Sequence, residues 1–329
     1  MIENPEGPAP VEAEESSLLP LGAWRPEVHR ALLAMIDRHG QHSAGYDAER
    51  PPLAVFDCDN TLIHHDVGEA MMRYMITRRK LNTDRGFWQH LVPERLGRDA
   101  LNAAYKAVAG RADSEVRDTA AYRRYRAGML GVYHTLLETE GHDAAYSFAV
   151  KMLRGQHERT VADLCEEVLD YELDRPLAQE DVPPGPPFAG MVIPSGIRVY
   201  HEMVELIGAL ESQGFQTWIV SASNAYIVKA LARRIGFPEE RVLGVELQSQ
   251  GGRYTDRIIE PSPVGEGKLE MFLDLVGRSP VLVAGDSRND VELFENCDDT
   301  CLFIDKGGDE ELAEMATERG WLIQPPLSV

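Results

Sequence analysis

Basic residues are scarce in this chain of 329 residues: 33 Lys and Arg stand against 54 Asp and Glu, which leaves a formal charge of −21. So acidic a surface repels nucleic acid and anionic membranes, and we expect neither as a partner. It also repels anionic small molecules at long range. Any phosphate site in this chain therefore needs its own local positive charge.

Long apolar runs are absent too, since no stretch approaches the roughly 18 consecutive apolar residues of a membrane span. Residues 1–17 hold five glutamates and neither Lys nor Arg, whereas a secretory signal begins with basic residues. The expected compartment is the cytoplasm. Only four cysteines occur, and no second Cys or His pair accompanies Cys297 and Cys301, which favours reduced thiols over a zinc site.

Proline is absent between Pro93 and Pro176, where apolar residues recur at helical spacing. The spacing predicts helices over about 100–109, 115–137, 144–153 and 160–173. A proline-rich stretch at 181–187 then predicts a stiff linker that ends an all-helical segment.

Around this segment the chain alternates between helix and strand patterns. Short apolar runs predict strands over 53–56, 217–220, 242–247, 281–284 and 300–304, and a glycine pair at 251–252 predicts a hairpin. Alternating helices and strands indicate an α/β fold whose parallel sheet is covered on both faces. The predicted division is a tail over residues 1–20, a core of residues 21–66 and 191–329, and a helical insert over 67–190.

Four short polar motifs lie at the ends of predicted strands or the start of a predicted helix. They are Asp57 with Asp59, Ser221, Lys268, and Asp286 with Asp290. Parallel sheets place their sites beyond the carboxyl ends of the strands, so these side chains are expected to meet. Carboxylates that are crowded together need a cation or a shared proton, and oxygen-only ligands favour Mg²⁺.

Each motif by itself has an ordinary structural explanation, such as a helix cap for an aspartate or an exposed position for a lysine. The ordered set is specific, and it resembles the haloacid dehalogenase-like superfamily and, within it, the phosphoserine phosphatase-like group. The matching residues are 56–62, 220–223, Lys268 and 284–290. The resemblance as a whole covers residues 53–68 and 192–305. The resemblance implies a three-layer Rossmann-like core with a helical cap domain inserted after the first strand. Residues 67–190 would be that cap.

The resemblance also implies a Mg²⁺-dependent phosphomonoesterase that works through an aspartyl-phosphate. Asp57 would be the nucleophile, and Asp59 would protonate the leaving group and later activate water. The phosphate would be bound by Thr61, Ser221, Ala222 and Lys268. The metal would be held by Asp57, the backbone carbonyl of Asp59, and Asp286, with Asp290 either orienting its waters or pairing with Lys268. A dehalogenase needs no leaving-group proton, so Asp59 favours phosphate chemistry.

The expected substrate is a small phosphate ester that bears an amine, similar to phosphoserine or phosphorylcholine. Asp66, with Glu69 one turn later, would bind the amine, although Asp66 equally fits an ordinary helix N-cap; Asn289 is a further candidate substrate contact. Seven of the eleven tyrosines lie in the cap, where most fit helix packing, and the long cap resembles that of bacterial phosphorylcholine phosphatases. Two other hypotheses are a phosphotransferase with an alcohol acceptor and a non-catalytic binding protein.

Overall fold

The computed structural model describes residues 18–329, so most of the predicted tail, residues 1–17, lies outside the described residues. Leu19 is fully buried, and its carbonyl oxygen accepts a hydrogen bond from His29 Nε2 at 2.9 Å. Core packing therefore begins before residue 21, the predicted start of the core.

The helices and strands occur along the chain in the alternation that the sequence predicts. The α-helices are α1 (Pro26–His39), α2 (Val67–Arg78), α3 (Arg85–Leu91), α4 (Arg98–Lys106), α5 (Asp113–Val116), α6 (Ala120–Glu140), α7 (His142–Lys151), α8 (Glu158–Asp174), α9 (His201–Ser212), α10 (Ala225–Arg234), α11 (Glu266–Val276), α12 (Val291–Glu295) and α13 (Glu310–Glu318). The strands are β1 (Leu53–Phe56), β2 (Ile63–His64), β3 (Ala178–Val182), β4 (Met191–Ser195), β5 (Arg198–Val199), β6 (Gln216–Asn224), β7 (Val242–Val245), β8 (Leu247–Gln250), β9 (Arg253–Ile258), β10 (Leu282–Gly285), β11 (Thr300–Ile304) and β12 (Leu322–Gln324).

The central sheet has six strands in the order β12-β11-β10-β1-β6-β7, and every neighbouring pair is parallel. Phe56 of β1 pairs with Ile219 of β6 and with Ala284 of β10. The residues that follow β1 and β10 therefore emerge side by side at the carboxyl edge. The predicted α/β fold with a parallel sheet is confirmed.

The two faces of the sheet bury separate hydrophobic cores, because side chains alternate along a strand. Leu53 and Val55 of β1 pack in one cluster with Phe272 of α11, whereas Ala54 and Phe56 pack in the other. The first cluster lies on the side of α11, α12 and α13, and the second continues into the cap. All four residues of β1 are fully buried, which explains their continuous apolar run.

The predicted cap, residues 67–190, contains helices α2 to α8, but it is not all-helical as predicted. Residues 178–182 form β3, which pairs antiparallel with β4 from Ala178 opposite Ser195 to Val182 opposite Met191. The proline-rich linker is the loop of this hairpin, and the predicted boundary at residue 190 lies inside it. β3 is rich in polar residues and shows no apolar alternation. It is stabilised by its partner strand and by the ion pairs of Glu180 with Arg126 and Arg175.

The predicted hairpin at Gly251 and Gly252 connects β8 to β9, and both glycines have positive φ, at 61° and 73°. Two such residues are what a two-residue turn between antiparallel strands requires. This hairpin also contacts the cap, because Gly155 N donates to Tyr254 O at 2.7 Å. Within residues 18–329, none of the helices is long and apolar enough to cross a membrane.

Candidate active site

The loop after β1 positions the first pair of carboxylates. The backbone N–H of Asp57 donates to Ala284 O at 2.8 Å, which extends the pairing of β1 with β10 by one residue. Asn60 then adopts a left-handed φ of 56°, a conformation that Asn tolerates better than most residues. The chain turns back at this point, so Asp57 stays at the edge of the sheet with its carboxyl group facing inward.

Lys268 connects two of the predicted motifs directly. Its Nζ lies 2.7 Å from Asp57 Oδ1 and 2.6 Å from Asp290 Oδ1. The Lys268 side chain is 1% exposed, and the side chains of Asp57 and Asp290 are 7% and 1% exposed. The lysine on α11, 211 positions away from Asp57 in the chain, is therefore a buried cation at the centre of the acidic cluster.

Asp286 completes this cluster, since carboxylate oxygens of Asp57, Asp286 and Asp290 all lie within 4.8 Å of one another. A second lysine that the sequence reasoning missed, Lys306, forms an ion pair with Asp286 Oδ2. Lys306 follows β11, the neighbour of β10, so the rule on strand ends that located the aspartates would have found it.

Burial and mutual repulsion set the protonation of these carboxyl groups. Burial, the largest influence, raises the pKa of Asp57, of Asp59 and of Asp286 above their ordinary values. Lys268 lowers the pKa of Asp57, whereas Asp290, Asp286 and Asp59 raise it further. Two lysines face four aspartates here, so the cluster is one that a divalent cation would stabilise.

The available oxygen atoms fit such a cation. Among the residues that the structure describes, no hydrogen bond reaches Asp57 Oδ2 or Asp286 Oδ1, so both are available as hard oxygen ligands. Asp290 differs, because Asp290 Oδ2 accepts hydrogen bonds from the backbone of Asp286 and Ser287 at 3.1 Å each. Of the two roles predicted for Asp290, this arrangement favours pairing with Lys268.

Asp59 faces a different set of partners. Its Oδ1 accepts from Val67 N at 2.6 Å, and its Oδ2 accepts from Ser223 Oγ at 2.7 Å and from Ser221 Oγ at 3.3 Å. The Asp59 carboxyl group is thus outside the three-aspartate cluster, which leaves only its backbone carbonyl for the predicted metal role. Ser223 had no role in the sequence analysis, although it lies within the matched motif.

The predicted phosphate-binding residues lie around the same centre. Thr61 is fully buried, and its hydroxyl has no hydrogen-bond partner within the described part of the chain. Ser221 Oγ accepts from Ser223 N at 3.0 Å as well as contacting Asp59. Ala222 borders a cavity beside Asp66. Asn289, predicted to contact substrate, is half-buried in the turn before α12 and does not border this cavity.

The predicted amine-binding residues border that cavity, between the cap and the core. Asp66 Oδ1 accepts from Glu69 N at 2.6 Å, so Asp66 is the N-cap of α2, the alternative that the sequence also allowed. Glu69 accepts a hydrogen bond from Tyr133 at 2.8 Å and pairs with Arg73 at 2.7 Å. The cavity measures only about 10 Å³, about the minimum for one water molecule. As it stands, the cavity is therefore too small for a phosphate ester.

Two cap tyrosines border the cavity, while the others that the sequence singled out lie elsewhere. Burial and the nearby carboxylates of Asp66 and Glu69 raise the pKa of Tyr133 and of Tyr146. The adjacent histidines His64 and His65 are half-buried, and His64 Nδ1 lies 3.0 Å from Tyr200 OH while His65 Nδ1 lies 2.8 Å from Gly196 O. Their contacts are with the core and not with the carboxylate cluster.

The chain is similar in sequence to a known family and to known proteins. A model of the haloacid dehalogenase-like hydrolase family matches residues 54–295, well over half of the chain. A histidinol-phosphatase from Neisseria meningitidis serogroup C (strain 8013) is 23% identical over 278 residues, which cover 82% of this chain and 96% of that protein. A phosphorylcholine phosphatase from Pseudomonas aeruginosa is 22% identical over 260 residues, which cover 78% of this chain and 64% of that protein.

Solved structures are similar at the level of the fold. A protein of unknown function from Anaerococcus prevotii DSM 20548 superposes with a TM-score of 0.80 at 24% identity, covering 93% of each chain. A protein of unknown function from Bordetella pertussis Tohama I gives a TM-score of 0.53 at 19% identity, covering 82% of this chain and 96% of that one.

Proposed function

This chain belongs to the haloacid dehalogenase-like hydrolase family and is a phosphoric monoester hydrolase, and we propose that it is a Mg²⁺-dependent enzyme that acts through phosphorylated Asp57. The observation that carries the proposal is the buried cluster of Asp57, Asp286 and Asp290 around Lys268 Nζ. Three chain segments converge there with charges suited to a cation and a phosphate together.

The proposed chemistry divides one displacement into two. One carboxylate oxygen of Asp57 attacks phosphorus while the ester oxygen departs and takes a proton from Asp59. Water then attacks the phosphorus, the bond between phosphorus and the Asp57 oxygen breaks to release inorganic phosphate, and Asp59 accepts the proton of the water. Lys268 and Thr61 stabilise charge on the phosphoryl oxygens. A bound Mg²⁺, held by Asp57, Asp286 and the Asp59 carbonyl, would neutralise the negative charge of the aspartate and of the phosphate.

The pKa of Asp59 fits a group that acts first as an acid and then as a base. Burial raises this pKa, while the hydrogen bonds from Ser223 and Val67 lower it. An acid–base catalyst works best when its pKa lies near the working pH, which an ordinary aspartate does not achieve. The balance between burial and hydrogen bonds at Asp59 therefore supports its proposed role.

For the substrate, we propose a small phosphate monoester with a positively charged nitrogen. Histidinol phosphate and phosphorylcholine, the compounds for which the two relatives are named, both have this chemistry. In this chain Asp66 and Glu69 place two carboxylates beside the cavity, and Tyr133 and Tyr146 add aromatic rings. Carboxylates and aromatic faces together suit an ammonium group.

The direct test is a screen of phosphate esters with Mg²⁺ and with a chelator, using wild type and Asp57→Asn. We expect hydrolysis of amine-bearing esters that requires the metal and is lost in Asp57→Asn. Undiminished hydrolysis by Asp57→Asn would refute the nucleophile. Adding alcohols to the assay and analysing the products separates a hydrolase, which releases inorganic phosphate throughout, from a phosphotransferase, which forms new esters.

A further inference from the structure

A second pocket, of about 200 Å³, lies between α2, α6, α8 and the β3–β4 hairpin. It shares no lining residue with the cavity beside Asp66. Two glutamates and five arginines line it, and the arginines are Arg73, Arg78, Arg117, Arg126 and Arg175. Arg73 also pairs with Glu69 and Arg78 with Asp113, so the five arginines meet four carboxylates and leave an excess of one positive charge.

The arginines of this pocket have unmet hydrogen-bonding capacity. The Arg73 side chain is 6% exposed, and while its Nη1 pairs with Glu69, its buried Nη2 has no partner in the described part of the chain. The buried Nε of Arg78 is also without a partner there. Arg117 at the pocket rim is exposed and forms no ion pair with any described residue. A buried guanidinium N–H without an acceptor is unfavourable, so the pocket is short of acceptor atoms.

We propose that this pocket is a binding site for a small phosphate-class oxyanion. Guanidinium groups bind the oxygens of such anions through paired hydrogen bonds, and Arg73 offers a buried N–H that points to this use. The volume is below the 300–1,000 Å³ or so of pockets for drug-sized ligands, so the ligand is inorganic phosphate or a compact phosphorylated molecule. Glu172 and Glu180 pair with Arg175 and Arg126 and hold the arginines in place.

The pocket is connected to the substrate cavity by one ion pair. Arg73 lies one turn after Glu69 on α2, and Glu69 borders the cavity beside Asp66. An anion that attracts Arg73 weakens the ion pair between Arg73 and Glu69. The contact of Glu69 with a substrate amine then changes. On this basis the site would link anion concentration to turnover, a consequence that rests on the proposed function.

Binding can be measured without catalysis, using the full chain in a chelator. Without a divalent ion the catalytic centre sets four aspartates against two lysines and repels phosphate. Isothermal titration with inorganic phosphate should then give one site per chain. The affinity for phosphate should be about three- to tenfold weaker in Arg117→Ala and at least about tenfold weaker in Arg73→Lys. Arg73→Lys keeps the ion pair with Glu69. Arg159→Ala, an exposed cap arginine outside the pocket, is the matched control and should bind as wild type does.

Absence of phosphate binding in the chelator, or equal affinities of Arg117→Ala and Arg159→Ala, would overturn the proposed site whatever the enzyme hydrolyses. The link to turnover is tested separately with Mg²⁺ present. Phosphate at the catalytic centre inhibits competitively, so only the second site can lower kcat. We expect phosphate to lower kcat in wild type but not in Arg117→Ala. Purely competitive inhibition in both proteins would reject the link.

Discussion

Lys268 Nζ and Asp57 Oδ1 are 2.7 Å apart, and neither side chain is more than 7% exposed. The pair joins the start of α11 to the end of β1 through the interior of the molecule. Burial alone would lower the pKa of Lys268, yet Asp290 and Asp57 together raise it above the usual value for lysine. The lysine therefore stays charged and neutralises carboxylates that are too close together to be stable without it.

Removing this cation should cost both stability and activity. Lys268→Met leaves Asp57 and Asp290 buried without their partner, so we expect the free energy of unfolding to fall by about 3–5 kcal/mol in a chelator, measured by urea denaturation. Phosphatase activity should fall about a hundredfold or more, because the phosphoryl charge loses its stabilising cation. Adding Asp290→Asn to this variant should recover stability but not activity. Equal stability of Lys268→Met and wild type would show that the pair is not holding the cluster together.

In the proposed mechanism, the hydrogen bond from Ser223 to Asp59 sets the pH range of the first chemical step. Asp59 must be protonated to release the leaving group, so this activity is present below its pKa in the folded enzyme and is lost as the pH rises through it. Because the Ser223 hydroxyl lowers that pKa, Ser223→Ala should raise it and move the alkaline limb of the kcat/KM profile to higher pH.

Ser287→Ala is the matched control for this shift, since Ser287 Oγ contacts Asp290 and not Asp59. The alkaline limb of the kcat/KM profile of Ser287→Ala should stay at the wild-type pH even if the rate of this variant changes. A limb that moves to lower pH in Ser223→Ala would contradict the assignment of Asp59 as the acid.

Charge at Glu69 should affect amine-bearing substrates selectively. Glu69→Gln keeps the size of the side chain but removes its charge, so we expect KM for an amine-bearing ester to rise about tenfold. KM for an uncharged ester of similar size should change less than about twofold. Tyr133→Phe, which keeps the ring but removes the hydroxyl group that donates to Glu69, serves as a control for the loss of that hydrogen bond. Equal losses on both substrates would reject the ammonium pocket.

Gly68 allows α2 to approach Ser223 closely. A Cβ atom at position 68 would overlap Ser223 Oγ and lie 2.9 Å from Ser223 Cβ. Gly68→Ala should therefore displace Ser223 from Asp59 and lower kcat about tenfold or more, although alanine favours helix formation. Gly208→Ala in α9, where the new Cβ meets nothing within 4 Å, should raise stability by up to about 1 kcal/mol and leave activity unchanged. A fully active Gly68→Ala would contradict the close fit.

Much of the fold could be read from local patterns. The strand predicted at 300–304 has those bounds in the structure, because its apolar run and flanking residues determined it locally. The β3–β4 hairpin could not be found in this way, since Ala178 gains its strand conformation from Ser195 and β3 shows no apolar alternation of its own. Partners distant in sequence decided that element.

The sequence by itself determined the fold class and the identity of the carboxylates and the lysine at the strand and helix ends, because a strand end in a parallel sheet fixes where the next side chain lies. Only the tertiary structure decided which atoms meet: that Lys268 bridges Asp57 and Asp290, that Lys306 pairs with Asp286, and that Ser223 reaches Asp59. Hydrogen bonds and ion pairs depend on distances of a few tenths of an ångström between segments far apart in the chain. Such distances follow from the packing of the whole molecule and not from the spacing of residues along it.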